Sequence, residues 1–180
     1  MKEAEWNTLL AVVRGEEPAR IPVGFIIDSP WLPNWAGHAI LDYFTDERAF
    51  LDANLKALET FPGAMMLPGF WSEYGMCTEP SAFGAVSVWE EDAFPFARRT
   101  LAAPRDVERL ERPDARREGL LPFVIQRLRH LEPEIVKAGH RIRFAVARGP
   151  LNIASFLMGT TEFLTALRTD PELMHRLLDV

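Results

Sequence analysis

The stretch RFAVARGPLNIASFLMG, Arg143–Gly159, decides the reading of the fold. A short apolar run is followed by Arg148, a Gly-Pro corner and a helical pattern. Gly149 allows a sharp turn, and Pro150 suits the first position of a helix, where its missing N–H is not needed. A strand that passes directly into a helix is the unit from which parallel sheets are built. In such sheets the strand C-termini face the ligand crevice, so this corner is expected to form one wall of a site.

Similar units lie upstream. RIPVGFIID reads as a continuous apolar strand covered on both faces. SPWLPNWAG follows, and its Pro and Gly content favours a loop. TDERAFLDANLKALETFP is the clearest helix, with Thr45 as its cap, acids in its first turn and Phe50, Leu51, Leu55 and Leu58 on its apolar face. GAMMLPGF reads as a second buried strand. Ile21–Ile27, Ala64–Leu67 and Ile142–Ala147 are thus expected to be adjacent parallel strands of one sheet.

The remaining segments connect these units. EAEWNTLLAVVRGEEP is an amphipathic helix with Trp6, Leu9, Leu10 and Val13 on one face, ended near Gly15. WSEYGMCTEPSAFG reads as irregular, AVSVWEEDAFPFARRTL as a hairpin outside the main sheet, and DVERLERPD as a solvated connector. GLLPFVIQRLRHLEPEIVKAG is helical, with Pro122 in a first turn and a break or new start expected at Pro133. After the Gly-Pro corner come helical LNIASFLMG, TEFLTALRT and PELMHRLLDV, with Thr160 or Thr161 and Asp170 as caps.

Composition excludes several classes. The chain has 180 residues, 48% of them hydrophobic, enough for a core. Lys plus Arg number 20 against 26 Asp plus Glu, a net charge of -6 without any basic run, so nucleic acid is not expected as a partner. Cys77 is the single cysteine, which fits a reducing cytosol. No apolar run is long enough to span a membrane, and MKEAEWNTLL lacks the apolar stretch of a signal peptide, so a cytoplasmic protein without membrane contact is expected.

Three blocks carry a resemblance. GPLNIASFLMG with FLTALRTDPELMHRLLDV, RIPVGFIIDSPWLPNWAG with its WLPNW element, and CTEPSAFGAVSVWEEDAFP with Glu79 five residues before Gly84 occur in the order seen in one family. On them the chain resembles the uroporphyrinogen decarboxylase superfamily, which includes corrinoid-dependent methyltransferases. The resemblance implies an α/β fold, the N-terminal half of a (β/α)8 barrel over residues 21–180, after a helical extension over residues 1–20. A chain supplying the second half-barrel, or self-association, is then expected.

The departures narrow the expected chemistry. Where the decarboxylases carry two substrate-binding arginines in the first loop, this chain has Ile26 and Pro30. The Asp expected after strand two is missing from LPGFWSEYG, where Glu73 is the nearest acid, and the Tyr expected after the corner is Phe156. A polycarboxylate tetrapyrrole needs cationic partners, because burying unpaired carboxylates is costly. The methyltransferase branch binds zinc through a His-x-Cys pair and a later Cys in the second half of its barrel. Cys77 has no His two residues before it, so no cofactor is expected within this chain, zinc only from a second half, and a corrinoid as a possible ligand.

Candidate site residues are those just after the expected strands. Asp28, His38 and Glu73 are the candidate catalytic groups, as base, proton donor or acid. Trp31, Trp35 and Trp71 suit a planar ligand or a corrinoid face, and Tyr74 offers a hydroxyl. Arg148 suits a carboxylate or phosphate, and Asn152 enters the helix after the corner. Structural alternatives are a loop cap for Asp28, surface exposure for His38, loop packing for the aromatics and a salt bridge with Asp28 or Glu73 for Arg148. Glu79 is expected to fix local backbone, Cys77 to be inert, and His130, His140 and His175 to be solvated. The expected role is to supply part of a substrate or corrinoid site for methyl transfer, with a small molecule or a corrinoid protein as partner. The alternatives are a decarboxylase-like enzyme and a non-catalytic binding or assembly module. The chain alone is expected to be inactive.

Overall fold

The computed structural model describes residues 1–27 and 30–180, so Asp28 lies outside the described residues. The chain forms two compact units, Met1–Ser72 with Gln126–Val146 and Glu73–Ile125 with Ala147–Val180. It is a mixed α/β structure with parallel strands and helices, and the described strands close no barrel.

The first unit contains α1 (Glu3–Val13), β1 (Val23–Ile26), α2 (Trp31–Ala36), α3 (Ile40–Thr45), α4 (Glu47–Thr60) and β2 (Ala64–Leu67). β1 and β2 pair in parallel, Val23 opposite Ala64 and Ile26 opposite Leu67. The core lies under α3 and α4, where Tyr43, Phe44 and Phe50 are fully buried. Asn54 holds this corner by donating to the Tyr43 hydroxyl at 3.2 Å and the Phe50 carbonyl at 2.8 Å. Arg127 is buried too, its guanidinium 5.0 Å from the Phe50 ring centroid and donating to the Phe44 carbonyl.

Several expectations change here. The third strand is absent: 141–149 takes no regular structure. Phe144 instead packs edge-on against Trp6 of α1 at 5.6 Å, and Arg143 lies over the same indole while pairing with Glu3. The half-barrel therefore reduces, among the described residues, to one parallel pair. β1 is not covered on both faces either, since all four of its residues are exposed, Ile26 at 78%. SPWLPNWAG is not a loop: Trp31–Ala36 is helical, with Pro33 in the tolerated first turn and Gly37 ending the helix at φ 97°. The cap of α4 is Asp46, which accepts the Arg48 N–H at 2.7 Å, because Thr45 is already the last residue of α3.

His140 is buried rather than solvated, and its Nδ1 has no hydrogen-bond partner among the described residues. Burial pushes its pKa below the ordinary value. In an unfolded chain a histidine titrates near ~6.5. Between the lowered value and that one, the unfolded state binds more protons, so this histidine's contribution is present above about pH 6.5 and lost as pH falls. Replacing His140→Phe should flatten the acid side of the stability profile, read as urea midpoints at pH 5 and pH 7. A wild-type-like slope in the variant would place the acid sensitivity elsewhere.

The second unit contains α5 (Thr78–Ala82), the hairpin β3 (Ser87–Glu90) and β4 (Ala93–Ala97), and the helices α7 (Pro150–Met158), α8 (Thr160–Thr169) and α9 (Pro171–Asp179). α6 (Leu121–Lys137) begins in this unit and continues into the first. It runs unbroken through Pro133, against the expected break. The charged connector is a 3-10 helix over Pro104–Arg109 that buries Val107. That valine joins Leu157, Met158, Phe163 and Met174 in a core between the last three helices and the hairpin exit. Asp170 caps α9 as expected, accepting the Leu173 N–H at 3.3 Å. Gly159, not a threonine, stands at the cap of α8.

Candidate functional site

In the second unit the segment before α5 is fixed from both sides. Thr78 Oγ1 accepts the Tyr74 N–H at 2.7 Å and donates to the Gly75 carbonyl at 2.9 Å. The Met76 N–H donates to the Pro95 carbonyl at 2.9 Å, tying the segment to the hairpin. This geometry delivers two acids, Glu73 and Glu79, to the Gly-Pro corner. Glu79 Oε1 accepts the Arg148 backbone N–H at 2.7 Å, and its Oε2 accepts from Arg148 Nη1 at 3.2 Å. Arg148 Nη2 lies 2.9 Å from Glu73 Oε2. The side chains are 4% (Glu73), 9% (Glu79) and 16% (Arg148) exposed. The guanidinium is thus shared by two buried carboxylates, with Glu79 at Nη1 and Glu73 at Nη2.

The structural alternative for Arg148 is therefore the one seen, with Glu79 as a second partner. Glu79 was expected to fix local backbone, and it does so at the corner by accepting the Arg148 N–H. Tyr74 is buried, with its ring edge-on to Trp89 at 6.2 Å and Phe123 at 6.4 Å. Cys77 is fully buried, donates to the Tyr74 carbonyl at 2.8 Å, and has its thiol pKa pushed up by burial, so it is no ready nucleophile. Asn152 is exposed on the first turn of α7.

The first unit carries the other candidates. Trp31 and Trp35, one helical turn apart on α2, stack at 5.1 Å with planes 20° apart. Trp35 continues onto Phe61 at 5.7 Å, and Phe61 meets Phe25 of β1 edge-on at 6.2 Å. Lys56 lies 5.1 Å from the Trp35 centroid and donates to the Ala36 carbonyl. Trp31 is 48% exposed. With Ile26, Ile27, Pro30 and Asn34, the two tryptophans line an open groove of about 760 Å³, and none of these described lining residues is charged. His38 follows Gly37, half-buried, its N–H donating to the Pro33 carbonyl at 2.9 Å. Trp71 is half-buried and its indole N–H has no partner among the described residues.

The structure thus brings together Trp31 with Trp35, and Glu73 with Arg148. Trp31, Trp35, His38 and Trp71 belong to the first unit, and Glu73, Tyr74, Arg148 and Asn152 to the second. Among the described residues no three His, Cys, Asp or Glu side chains are grouped to hold a metal ion. No described helix is long and apolar enough to cross a membrane.

Comparisons with known proteins bear on the family and the fold. The family model described as uroporphyrinogen decarboxylase (URO-D) matches residues 5–180. Among solved structures, a methyltransferase from Methanosarcina mazei superposes with a TM-score of 0.70 at 21% sequence identity, over 96% of this chain. The chain spans 50% of that methyltransferase's length. No significant match is found among curated proteins.

Proposed function

Since the chain belongs to the uroporphyrinogen decarboxylase family over nearly its whole length, we propose that it supplies the substrate- or corrinoid-facing part of a methyl-transfer site. The observation that carries this reading is the Trp31–Trp35 stack, with Trp31 exposed, in a groove whose described lining residues carry no charge. A flat ligand with an apolar face gains from stacking on such a surface. Trp31 and Trp35 would hold a corrinoid through their apolar faces, and Asn34 would offer its amide to it. Bound there, a corrinoid would supply the methyl-carrying metal centre, while this chain's residues would orient the ring and exclude water from one face.

A carboxylated tetrapyrrole fits less well. Its acids would meet Ile26 and Pro30, and Lys56, the cation over Trp35, already donates to the Ala36 carbonyl. Arg148 is held by Glu73 and Glu79 and offers no free charge. Decarboxylation of another acid remains the second reading, favoured only by the buried acid Glu73. Zinc does not fit this chain's described residues, because Cys77 is buried and bonded to Tyr74. A zinc ion for the acceptor thiol would come from a second half. The exposed apolar edge of β1 further supports association, either with a chain completing the barrel or with a second copy.

Isothermal titration with hydroxocobalamin tests the reading. We expect saturable binding, weakened at least ten-fold by Trp31→Leu together with Trp35→Leu in a variant that still unfolds cooperatively. Binding that survives the double substitution would remove the stack from the site.

A further inference from the structure

The second unit contains a cleft that has no role in the reading above. It measures about 410 Å³, within the roughly 300–1,000 Å³ of small-molecule sites. Four elements wall it: Phe83 just after α5, Leu121 at the start of α6, Ile153 and Leu157 on α7, and Leu177 on α9. These apolar walls are continuous with the core of the unit. Leu157 and Leu177 belong to that core, and Phe83 and Ile153 pack against it.

The charged side chains among its described lining residues are Glu79, Arg112 and Arg148, and each is already paired. Glu79 accepts from the backbone and the side chain of Arg148, and the other arm of that guanidinium meets Glu73 at 2.9 Å. Arg112 Nη2 donates to the Asp179 carbonyl at 2.9 Å, and its Nε donates at 3.3 Å to an oxygen of Val180. Val180 is the last of the 180 residues, so that oxygen belongs to the terminal carboxylate. A ligand carboxylate could therefore reach either arginine only by displacing a carboxylate. A ligand ammonium could reach Glu79 only by displacing Arg148. Burying a charge without a partner is costly, whereas an uncharged apolar body gains by leaving water.

We infer that this cleft binds a small, uncharged, mainly apolar molecule, of the class of a medium-chain alcohol, and rejects its anionic and cationic counterparts. The apolar walls specify the body of the ligand. The internal pairing of Glu79, Arg112 and Arg148 specifies its lack of charge. This inference uses none of the groove residues of the first unit, and the two readings stand or fall separately.

The test titrates 1-octanol, octanoate and octylammonium calorimetrically into the 180-residue chain at neutral pH. Octanol should bind saturably and at least ten-fold more tightly than either ion, with an affinity that added salt leaves unchanged. Ile153→Trp, which fills the cleft from α7, should abolish octanol binding. Ala115→Trp, at an exposed lining position, should weaken it at least ten-fold. Either ion binding as tightly as octanol would overturn the inference. So would a failure of octanol to bind, or undiminished octanol binding in a variant that still unfolds cooperatively. The comparison of the three ligands needs no variant, so a substitution that fails to fold leaves it decisive.

Discussion

Arg148→Met is expected to destabilise the protein by about 3–5 kcal/mol, the usual cost of removing one partner from a buried ion cluster. The guanidinium is the shared partner of Glu73 and Glu79, whose side chains are 4% and 9% exposed. Without it, two carboxylates remain buried without the cation that faces them both. The loss should be recovered in large part by Glu73→Leu, Glu79→Gln and Arg148→Met combined. That combination removes all three charges while keeping an acceptor for the residue 148 backbone N–H. Urea unfolding of the single and triple variants measures both values. A single variant within ~1 kcal/mol of wild type would mean the cluster is solvated, as exposed pairs are.

Gly75→Ala is the second large effect. Gly75 has φ 62°, where an L-residue is strained by roughly 1–2 kcal/mol. A Cβ there would also lie 2.6 Å from the Pro95 carbonyl oxygen and 2.9 Å from the Pro95 ring. Neither atom moves freely, because that carbonyl accepts the Met76 N–H. The combined cost should reach about 2–5 kcal/mol, since overpacking alone typically costs about 1–3. Gly84→Ala is the control: φ is 81°, but nothing lies within 4 Å of its Cβ, so only the backbone strain applies. Equal effects at the two positions would mean that contact with Pro95 contributes nothing.

What the sequence disclosed follows from the range of the interactions involved. The α4 helix, the hairpin, β2 and the three C-terminal helices are local patterns, and each forms near its expected place. The Gly-Pro corner also starts a helix as its composition requires. Ile142–Ala147 failed because its apolar pattern suits a strand or a helix-docking segment equally, and Trp6 and Glu3, distant in sequence, decided between them. WLPNW failed because Pro33 was taken as a breaker, although three residues into a helix it costs no hydrogen bond.

The candidate site was legible in kind more than in arrangement. Aromatic residues after the first strand do form a stack, and Arg148 does meet an acid. That Glu79 would take both the backbone and the side chain of Arg148 depends on a fold-level meeting of residues 69 apart. His140 sits beside Gly139 at a helix end, and its burial against Phe70 comes from tertiary packing.

The central claim is that this member of the uroporphyrinogen decarboxylase family presents a face for an uncharged planar ring surface and not for a polycarboxylate. The most direct measurement is a competition at one site, with hydroxocobalamin bound first and uroporphyrin added in excess. The account predicts saturable cobalamin binding, lost with Trp31 and Trp35, and no displacement by uroporphyrin at ten-fold excess. Saturable uroporphyrin binding that displaces cobalamin would contradict it.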